Sequence, residues 1–423
     1  MHRLAALPGD PSEGDAVLVE QESLPALVLS SADSDLSLIS QRLSAAGHSP
    51  WMRGLNLSAL SHPAAIDHYL RSSLARTRLV IVRLLGGRGH WSYGLEQLRD
   101  WAMQSPERCL VVLGGTTDGA EELADLSSIP AQTALSLASC LRHGGPENVD
   151  AVLQWCQHWL AGVDQQTPEP QPQPDPLCFD WQADQGSVVG VIAYRALWSS
   201  GDTALLERLA ESLRESGLCP RILLVSGLRD PALQQAVGDY FCSEAVEAVL
   251  CCTGFASVQA DRAGDGAPLW QRLGVPVVQL LISGGSKSRW QDSSVGLSQL
   301  DLAMQVALPE LDGRLMAQIG AFKEVAENDQ ALQCAIQRYQ PDPSALAWSI
   351  ELVQRWIALR QTPVADKRIA LVLANYPTRN ARLANGVGLD TPASAVAILR
   401  WLQEEGYCLG DQPLPATSEE PPL

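Results

Sequence analysis

The stretch Val188–Leu218, VVGVIAYRALWSSGDTALLERLAESLRESGL, decides the fold. Its first eight residues are an apolar run ending in Tyr194 and Arg195. That is the pattern of a strand buried on both faces, as in a parallel sheet. Ser199–Asp202 supply a polar turn and a helix cap, with Trp198 projecting from the loop. From Thr203 to Ser216 the leucines recur at helical spacing, and Gly217 stands at the position that ends a helix in the left-handed conformation. Strand, loop and helix in that order are half of a β-α-β unit.

The same unit recurs on both sides. Downstream, RILLVSG, AVLCCTG and VPVVQLLISG read as strands separated by helices at Pro231–Phe241 and Pro268–Leu273. Upstream, PALVLSS, LVIVRLLG (Leu79–Gly86) and CLVVLGG (Cys109–Gly115) are strands followed by helical patterns. The first helix takes its cap acceptors from Ser30–Asp35, and others are expected at Tyr93–Met103, Ala131–Arg142 and Pro146–Leu160. Between the two sets lies TPEPQPQPDP, Thr167–Pro176, whose prolines oppose both helix and sheet hydrogen bonding.

The expected class is therefore α/β, with two Rossmann-like, doubly wound parallel-sheet domains at 24–163 and 181–314. An arm (1–23) precedes them, and a Pro-rich linker (164–180) joins them. Residues 315–366 read as a helical connector, because FKEVAENDQALQCAIQRY and SALAWSIELVQRWIALR carry apolar residues at helical period. Residues 367–410 read as a further strand–loop–helix element, with a strand at Arg368–Ala374 and a helix from Thr391. The acidic, Pro-rich end, 411–423, reads as disordered.

Composition narrows the function. A net charge of −18 over 423 residues, with no cluster of Lys and Arg, argues against nucleic acid. No apolar run spans a bilayer and no signal peptide is legible, so a cytoplasmic protein is expected. The ten cysteines form no CxxC pair and mostly sit in apolar segments, as buried free thiols do. All seven histidines lie at or before His158, so the second half works without imidazole. His62 and His68 lack the spacing of a helical metal pair. No phosphate-binding GxxxxGK[ST] loop occurs, and an internal ATPase is not expected.

Candidate binding residues fall where strands end. Gly87, Gly89 and Ser92 approach a dinucleotide fingerprint, but the next strand ends in Gly114-Gly115 without the acid that holds a ribose. A rim formed by Arg83, His90 and Trp91 fits better, with a guanidinium for a carboxylate and an indole for a flat ring. The alternative is that His90 and Trp91 only cap the sheet edge. Tyr194, Arg195 and Trp198 repeat the pattern in the second unit, with an interdomain ion pair as the alternative for Arg195. In QVALPELDG, Glu310 and Asp312 either bind a hard cation or, the favoured reading, take backbone NH groups or Arg314. The loop between Arg368–Ala374 and Thr391 carries Asn375, Arg379, Arg382, Asn385 and Asp390. Its arginines have no acidic neighbour until Asp390, and Gly386 and Gly388 allow close backbone approach.

Four blocks, in order, resemble the large (CobN-type) subunit of cobaltochelatase, a family related to the porphyrin-binding subunit of magnesium chelatase. They are RLLGGRGHWSYGLEQL, VGVIAYRALWSSGDTALLERLAESLRESGL, VPVVQLLISGGSKSRWQDSSVGLSQLDLAMQVALPELDGR with FKE, and KRIALVLANYPTRNARLANGVGLDTPAS. The NGVGLDTPAS block fits the cobalt branch better than the magnesium branch. The resemblance implies ATP-dependent insertion of Co2+, as the substrate metal, into hydrogenobyrinic acid a,c-diamide in cobalamin biosynthesis. It implies a large subunit that binds the corrinoid. A separate AAA+ motor, with a partner carrying a metal-adhesion-type domain, hydrolyses the ATP. Family members are about three times longer, so the chain is expected to be an amino-terminal portion, inactive alone. Two further possibilities are a magnesium-chelatase-like porphyrin-binding subunit and a non-catalytic tetrapyrrole- or partner-binding module.

Overall fold

The computed structural model describes residues 18–47, 50–85, 87–117, 119–163, 166–179, 182, 185–257, 268–326, 329–373, 388–411 and 414. Two compact units divide the chain at residues 350 and 351. The first carries mixed α/β structure built on two sheets.

One sheet holds four parallel strands: β1 (Ala26–Ser30), β2 (Met52–Asn56), β3 (Leu79–Leu84) and β4 (Cys109–Gly114). Their order is β2-β1-β3-β4. Every residue of β1, β3 and β4 is buried, as the unbroken apolar runs require of strands covered on both faces. The covering helices are α1 (Asp33–Ala46), α2 (Pro63–Ser73), α3 (Ser92–Met103), α4 (Ala120–Ala124), α5 (Ala131–His143) and α6 (Pro146–Ala161).

The second sheet holds β5 (Leu177–Phe179), β6 (Ser187–Tyr194), β7 (Leu218–Val225), β8 (Ala248–Cys251), β9 (Val277–Ser283), β10 (Leu315–Ala326) and β11 (Ile336–Pro341). The order is β11-β10-β9-β8-β6-β7-β5. The five central strands are parallel, and β5 and β11 are antiparallel edges. Its helices are α7 (Arg195–Ser199), α8 (Ala204–Glu215), α9 (Pro231–Ser243), α10 (Pro268–Leu273) and α11 (Lys287–Asp292). A helical run follows: α12 (Gln299–Asp301), a π-helical turn over Leu302–Ala307, and α13 (Leu308–Glu310). In α8 the leucines at 205, 206, 209 and 213 are buried, while Arg208 faces out to Glu211 and Glu215.

Several sequence expectations need correction. The helical connector fails before residue 343, because FKEVAENDQALQCAIQRY forms β10, a loop and β11. Its helix-favouring composition yields to the open edge of β9, which β10 extends in parallel. Asp329 turns the chain back by accepting from Leu332 N at 2.7 Å, and Gln333 adopts a positive φ of 53°. Only α14 (Pro343–Gln361) is helical as expected.

The domain division fails for the same reason. Leu332, Cys334 and Ile336, from the β10–β11 excursion, lie in the core of the first sheet. Gly54 N donates to Leu332 O at 3.1 Å, and a Cβ at Gly54 would stand 3.0 Å from the Leu332 side chain. Gln21 joins them, its amide donating to Gly54 O, Leu332 O and Gln333 O. Residues 18–23 are thus anchored and do not form a free arm.

The linker also departs from expectation. Asn148 exchanges two hydrogen bonds with the Gln171 backbone, both 2.9 Å. After Pro176 the chain pairs with β7 as β5.

The second unit, residues 351–423, is simpler. Arg368–Leu373, expected as strand, forms no ladder, and Ile369 and Val372 are exposed. None of the described residues offers that run a hydrogen-bonding edge. Helix α15 (Thr391–Glu404) forms as expected, with Asp390 as its cap, accepting from Ala393 N at 3.0 Å.

Candidate functional site

In each sheet the strand order reverses direction at one junction, between β1 and β3 and between β6 and β8. Such switch points leave a crevice at the carboxyl ends of the strands, where α/β proteins take ligands. Here both crevices open on one cleft of about 1080 Å³. Ser31–Asp35 follow β1, Arg83 ends β3, and Thr116 and Thr117 follow β4. From the other side come Tyr194, Cys252 and the Ser283–Ser286 turn after β9. Lys323 of β10 and Tyr339 of β11 close the floor.

Charges in the cleft are largely committed. Arg83 donates to Asp35, which also accepts from Ser30 Oγ. Lys323 pairs with Asp33 at 3.4 Å, linking the second sheet to α1 of the first. Asp202 accepts twice from Tyr339 N, at 3.0 and 3.2 Å. Burial raises the Asp202 pKa, and the Tyr339 hydrogen bonds oppose that rise. Asp301 accepts from Ser283 Oγ and Gly284 N at 3.1 Å and so closes the 284–301 loop on itself. Trp290 lines the cleft, its ring packed on Phe322 with centroids 5.5 Å apart.

Two cleft arginines have no ion-pair partner among the described residues, whereas Arg83, whose Nε is also buried without a partner, is paired with Asp35. Arg142, at the last turn of α5, has a buried Nη1 with no hydrogen-bond partner among the described residues. Burial and then repulsion from Arg83 lower its pKa. Burial, Arg142 and Arg195 likewise depress His143. Arg289, in α11, is exposed and makes no ion pair among the described residues.

The sequence-predicted residues divide. Arg83 and Tyr194 line the cleft. The Tyr194 hydroxyl donates to Gly254 O at 3.0 Å, and burial pushes its pKa up to about 12. His90 and Trp91 stand apart from the cleft. His90 is exposed, and Trp91 is buried with Nε1 donating to Leu60 O at 2.8 Å, so its indole offers no open face. Arg195 turns to the linker, donating to Gln173 O and Pro174 O and approaching Asp175 at 3.6 Å. Trp198 packs on Gly145, where a Cβ would lie 2.8 Å from the indole. Asp390 serves as a helix cap. Asn375, Arg379, Arg382 and Asn385 lie outside the described residues.

Asp312 follows the structural reading. It accepts from Ser257 N and Oγ and pairs with Arg314 at 2.6 Å, both side chains fully buried. Among the described residues no group of three acidic, His or Cys side chains is placed to hold a metal ion.

Sequence reasoning missed Arg142, Arg289, Trp290 and the 284–301 loop as site residues. A signal for the loop was present: the Gly284-Gly285-Ser286 turn directly after a buried strand. None existed for Arg142, which reads as an ordinary last-turn cation on α5.

The CobN/Magnesium Chelatase family model matches residues 138–420. The aerobic cobaltochelatase subunit CobN of Pseudomonas aeruginosa is 35% identical over 434 residues, 99% of this chain and 34% of that protein. The subunit of the same name from Sinorhizobium sp is 32% identical, over 98% of this chain and 34% of its own length. The chloroplastic magnesium-chelatase subunit ChlH of Oryza sativa is 25% identical, over 55% of this chain and 16% of its own length. Among solved structures, the catalytic subunit of cobaltochelatase from Mycobacterium tuberculosis superposes with a TM-score of 0.71. It shares 29% identity over 92% of this chain and 31% of that one. The chain spans about a third of the length of the curated CobN relatives it matches.

Proposed function

From the premise that this chain belongs to the CobN/Magnesium Chelatase family, we propose that it is part of the macrocycle-binding large subunit of a cobaltochelatase. The observation that carries this reading is the near full-length similarity to CobN subunits of two organisms. The weaker, partial similarity to the magnesium-chelatase relative favours the cobalt branch. Co2+ is then the substrate metal and a corrinoid such as hydrogenobyrinic acid a,c-diamide the acceptor, in cobalamin biosynthesis. ATP would be hydrolysed by a separate AAA+ motor with its metal-adhesion-domain partner. The absence of a GxxxxGK[ST] loop from the sequence is in keeping with that division.

In this reading the cleft is the macrocycle-facing surface, with Arg83 and Tyr194 on its walls. Asn375, Arg379, Arg382 and Asn385 are proposed as further macrocycle-binding residues, and Asp390 as the residue that holds the following helix. Among the described residues no helix is long and apolar enough to cross a membrane. A cytoplasmic location is part of the proposal.

The chain alone is proposed to be inactive in metal insertion. The test is a spectrophotometric assay with Co2+, ATP, the corrinoid and the motor subunits. This chain is the only large-subunit material in one arm, and a full-length large subunit replaces it in the other. Product only in the second arm, with corrinoid binding in both, is the expected result. Product in the first arm refutes the inactivity, and absence of binding in the first arm refutes the macrocycle reading.

A further inference from the structure

We propose that the cleft is a polycarboxylate-binding site in which Arg142, from the first sheet, and Arg289, from the second, meet two separate carboxylates of one ligand. The assignment deepens the macrocycle reading, on which it relies for the ligand's bulk but not for its charge.

Four acids and four bases line the cleft: Asp33, Asp35, Asp202 and Asp301 against Arg83, Arg142, Arg289 and Lys323. Each acid is engaged within the protein. Asp35 holds Arg83, Asp33 holds Lys323, Asp202 takes the Tyr339 amide, and Asp301 takes Ser283 and Gly284. The lining retains no acid for the other two bases. Arg142 and Arg289 have no ion-pair partner among the described residues.

Arg142 is the more telling of the two. A guanidinium stays charged in a protein and offers five donors. Burying one of those donors without an acceptor is unfavourable. Here Nη1 is buried beside a second cation, Arg83, which lowers the Arg142 pKa further. An anion in the cleft would satisfy the orphaned donor and offset the repulsion.

Arg289 supplies the second cation. It sits on α11, next to Trp290, whose ring is braced by Phe322. The loop beneath is held in place, with Lys323 N donating to Gly285 O at 3.0 Å and Glu324 accepting from Lys287 N at 2.7 Å. The lining also includes the apolar side chains of Leu85, Leu141, Val295 and Leu297. The volume slightly exceeds the roughly 300–1,000 Å³ usual for small-molecule sites. The chemistry therefore fits a large, partly apolar body with carboxylates at two edges.

The test uses the purified chain, fluorescence titration and equilibrium dialysis. The probes are coproporphyrin III (a tetrapyrrole tetracarboxylate), its tetramethyl ester (the same ring without charge) and citrate (a polycarboxylate without a ring). The variants are Arg142→Gln, Arg289→Gln and the double substitution, with Arg208→Gln on α8 as a control. Each single variant is expected to weaken coproporphyrin binding about tenfold or more, and the double about a hundredfold. The ester should bind weakly to all, and Arg208→Gln should match wild type. Arg289 is exposed, so its substitution tests the clamp without threatening the fold. Melting temperatures provide a second readout. Arg142→Gln should melt no lower than wild type when unliganded and should lose the stabilisation that coproporphyrin gives.

If coproporphyrin and its ester bind alike and neither arginine matters, the clamp is refuted while the macrocycle reading survives. If citrate binds in an arginine-dependent way and no tetrapyrrole binds, the clamp stands and the macrocycle reading falls. If neither carboxylate probe binds the wild-type chain, the clamp is refuted outright.

Discussion

Substituting Leu332 by Ala is expected to destabilise the first unit by about 3–4 kcal/mol. Leu332 belongs to the excursion between β10 and β11 of the second sheet, yet its side chain is fully buried in the first sheet's core. The substitution removes three carbons, worth roughly 2.4 kcal/mol at ~0.8 kcal/mol per buried group. It also leaves a cavity. The walls, Gly54 on β2 and Leu36 on α1, belong to regular elements and can close it only partly, which adds a further ~1 kcal/mol. Urea denaturation followed by far-UV circular dichroism and tryptophan fluorescence measures the loss. Leu332→Met, which conserves volume, should cost less than about 1.5 kcal/mol. A loss below about 0.5 kcal/mol for the alanine variant is what a surface position gives. That result would refute the claim that this excursion pins the two sheets together.

Two further outcomes follow from ionisation. The Lys287 ammonium, Ser344 and the Ala345 amide hold Asp342 down at about 2. Its folded pKa lies below the unfolded value of about 3.9, so its stabilisation is complete above about pH 4 and fades as pH falls toward 2. The melting-temperature gap between wild type and Asp342→Asn should therefore shrink between pH 5 and 2, and a constant gap would contradict the assignment. For the cysteines, Ellman titration of the native protein at pH 8 should modify three thiols, the exposed Cys178, Cys242 and Cys408. Burial raises Cys109 to about 12 and Cys140 to about 11, and it also lifts Cys156, Cys252 and Cys334, so the buried thiols should react only after unfolding.

Where local pattern and tertiary demand agree, the sequence was legible. The buried runs at Leu79, Cys109 and Val188 are strands, and the leucine spacing after Thr203 is helix α8. The largest error has a tertiary cause. Residues 322–339 have a helical period, but a strand edge on β9 and a pocket in the first core compete for them and win. Neither competitor is adjacent in sequence. Arg368–Leu373 shows the reverse, a strand pattern with no described edge to pair with. For the site, the rule that ligands sit at strand carboxyl ends pointed to Arg83 and Tyr194, and both line the cleft. It also selected Trp91, Arg195 and Trp198, whose positions after strands are similar. Their side chains are occupied by Leu60 O, by the linker and by Gly145, and these partners lie from 21 to 53 positions away in the chain. Residue type and position identify what can bind, but the burial of each group against distant partners decides whether it is free to do so.

The same distant partners shape how the cleft works. A proline-rich linker between two sheets invites the picture of lobes that hinge shut on a ligand. The contacts oppose that motion. The linker is tied down by Asn148 and Arg195, and the Leu332 excursion crosses from one sheet into the core of the other. Asp33 to Lys323 binds across the floor, and Gly145 N donates to Ser199 O at 3.1 Å beside it. Opening or closing would break these together. A pre-formed cleft avoids the free-energy cost of closure, so more of the interaction energy appears as affinity. It also holds in place the helices that carry Arg142 and Arg289, α5 and α11. If Arg142 and Arg289 meet one ligand, as proposed, a ligand is selected by the distance between its carboxylates, and a flexible diacid should bind less well than a rigid one of matching span.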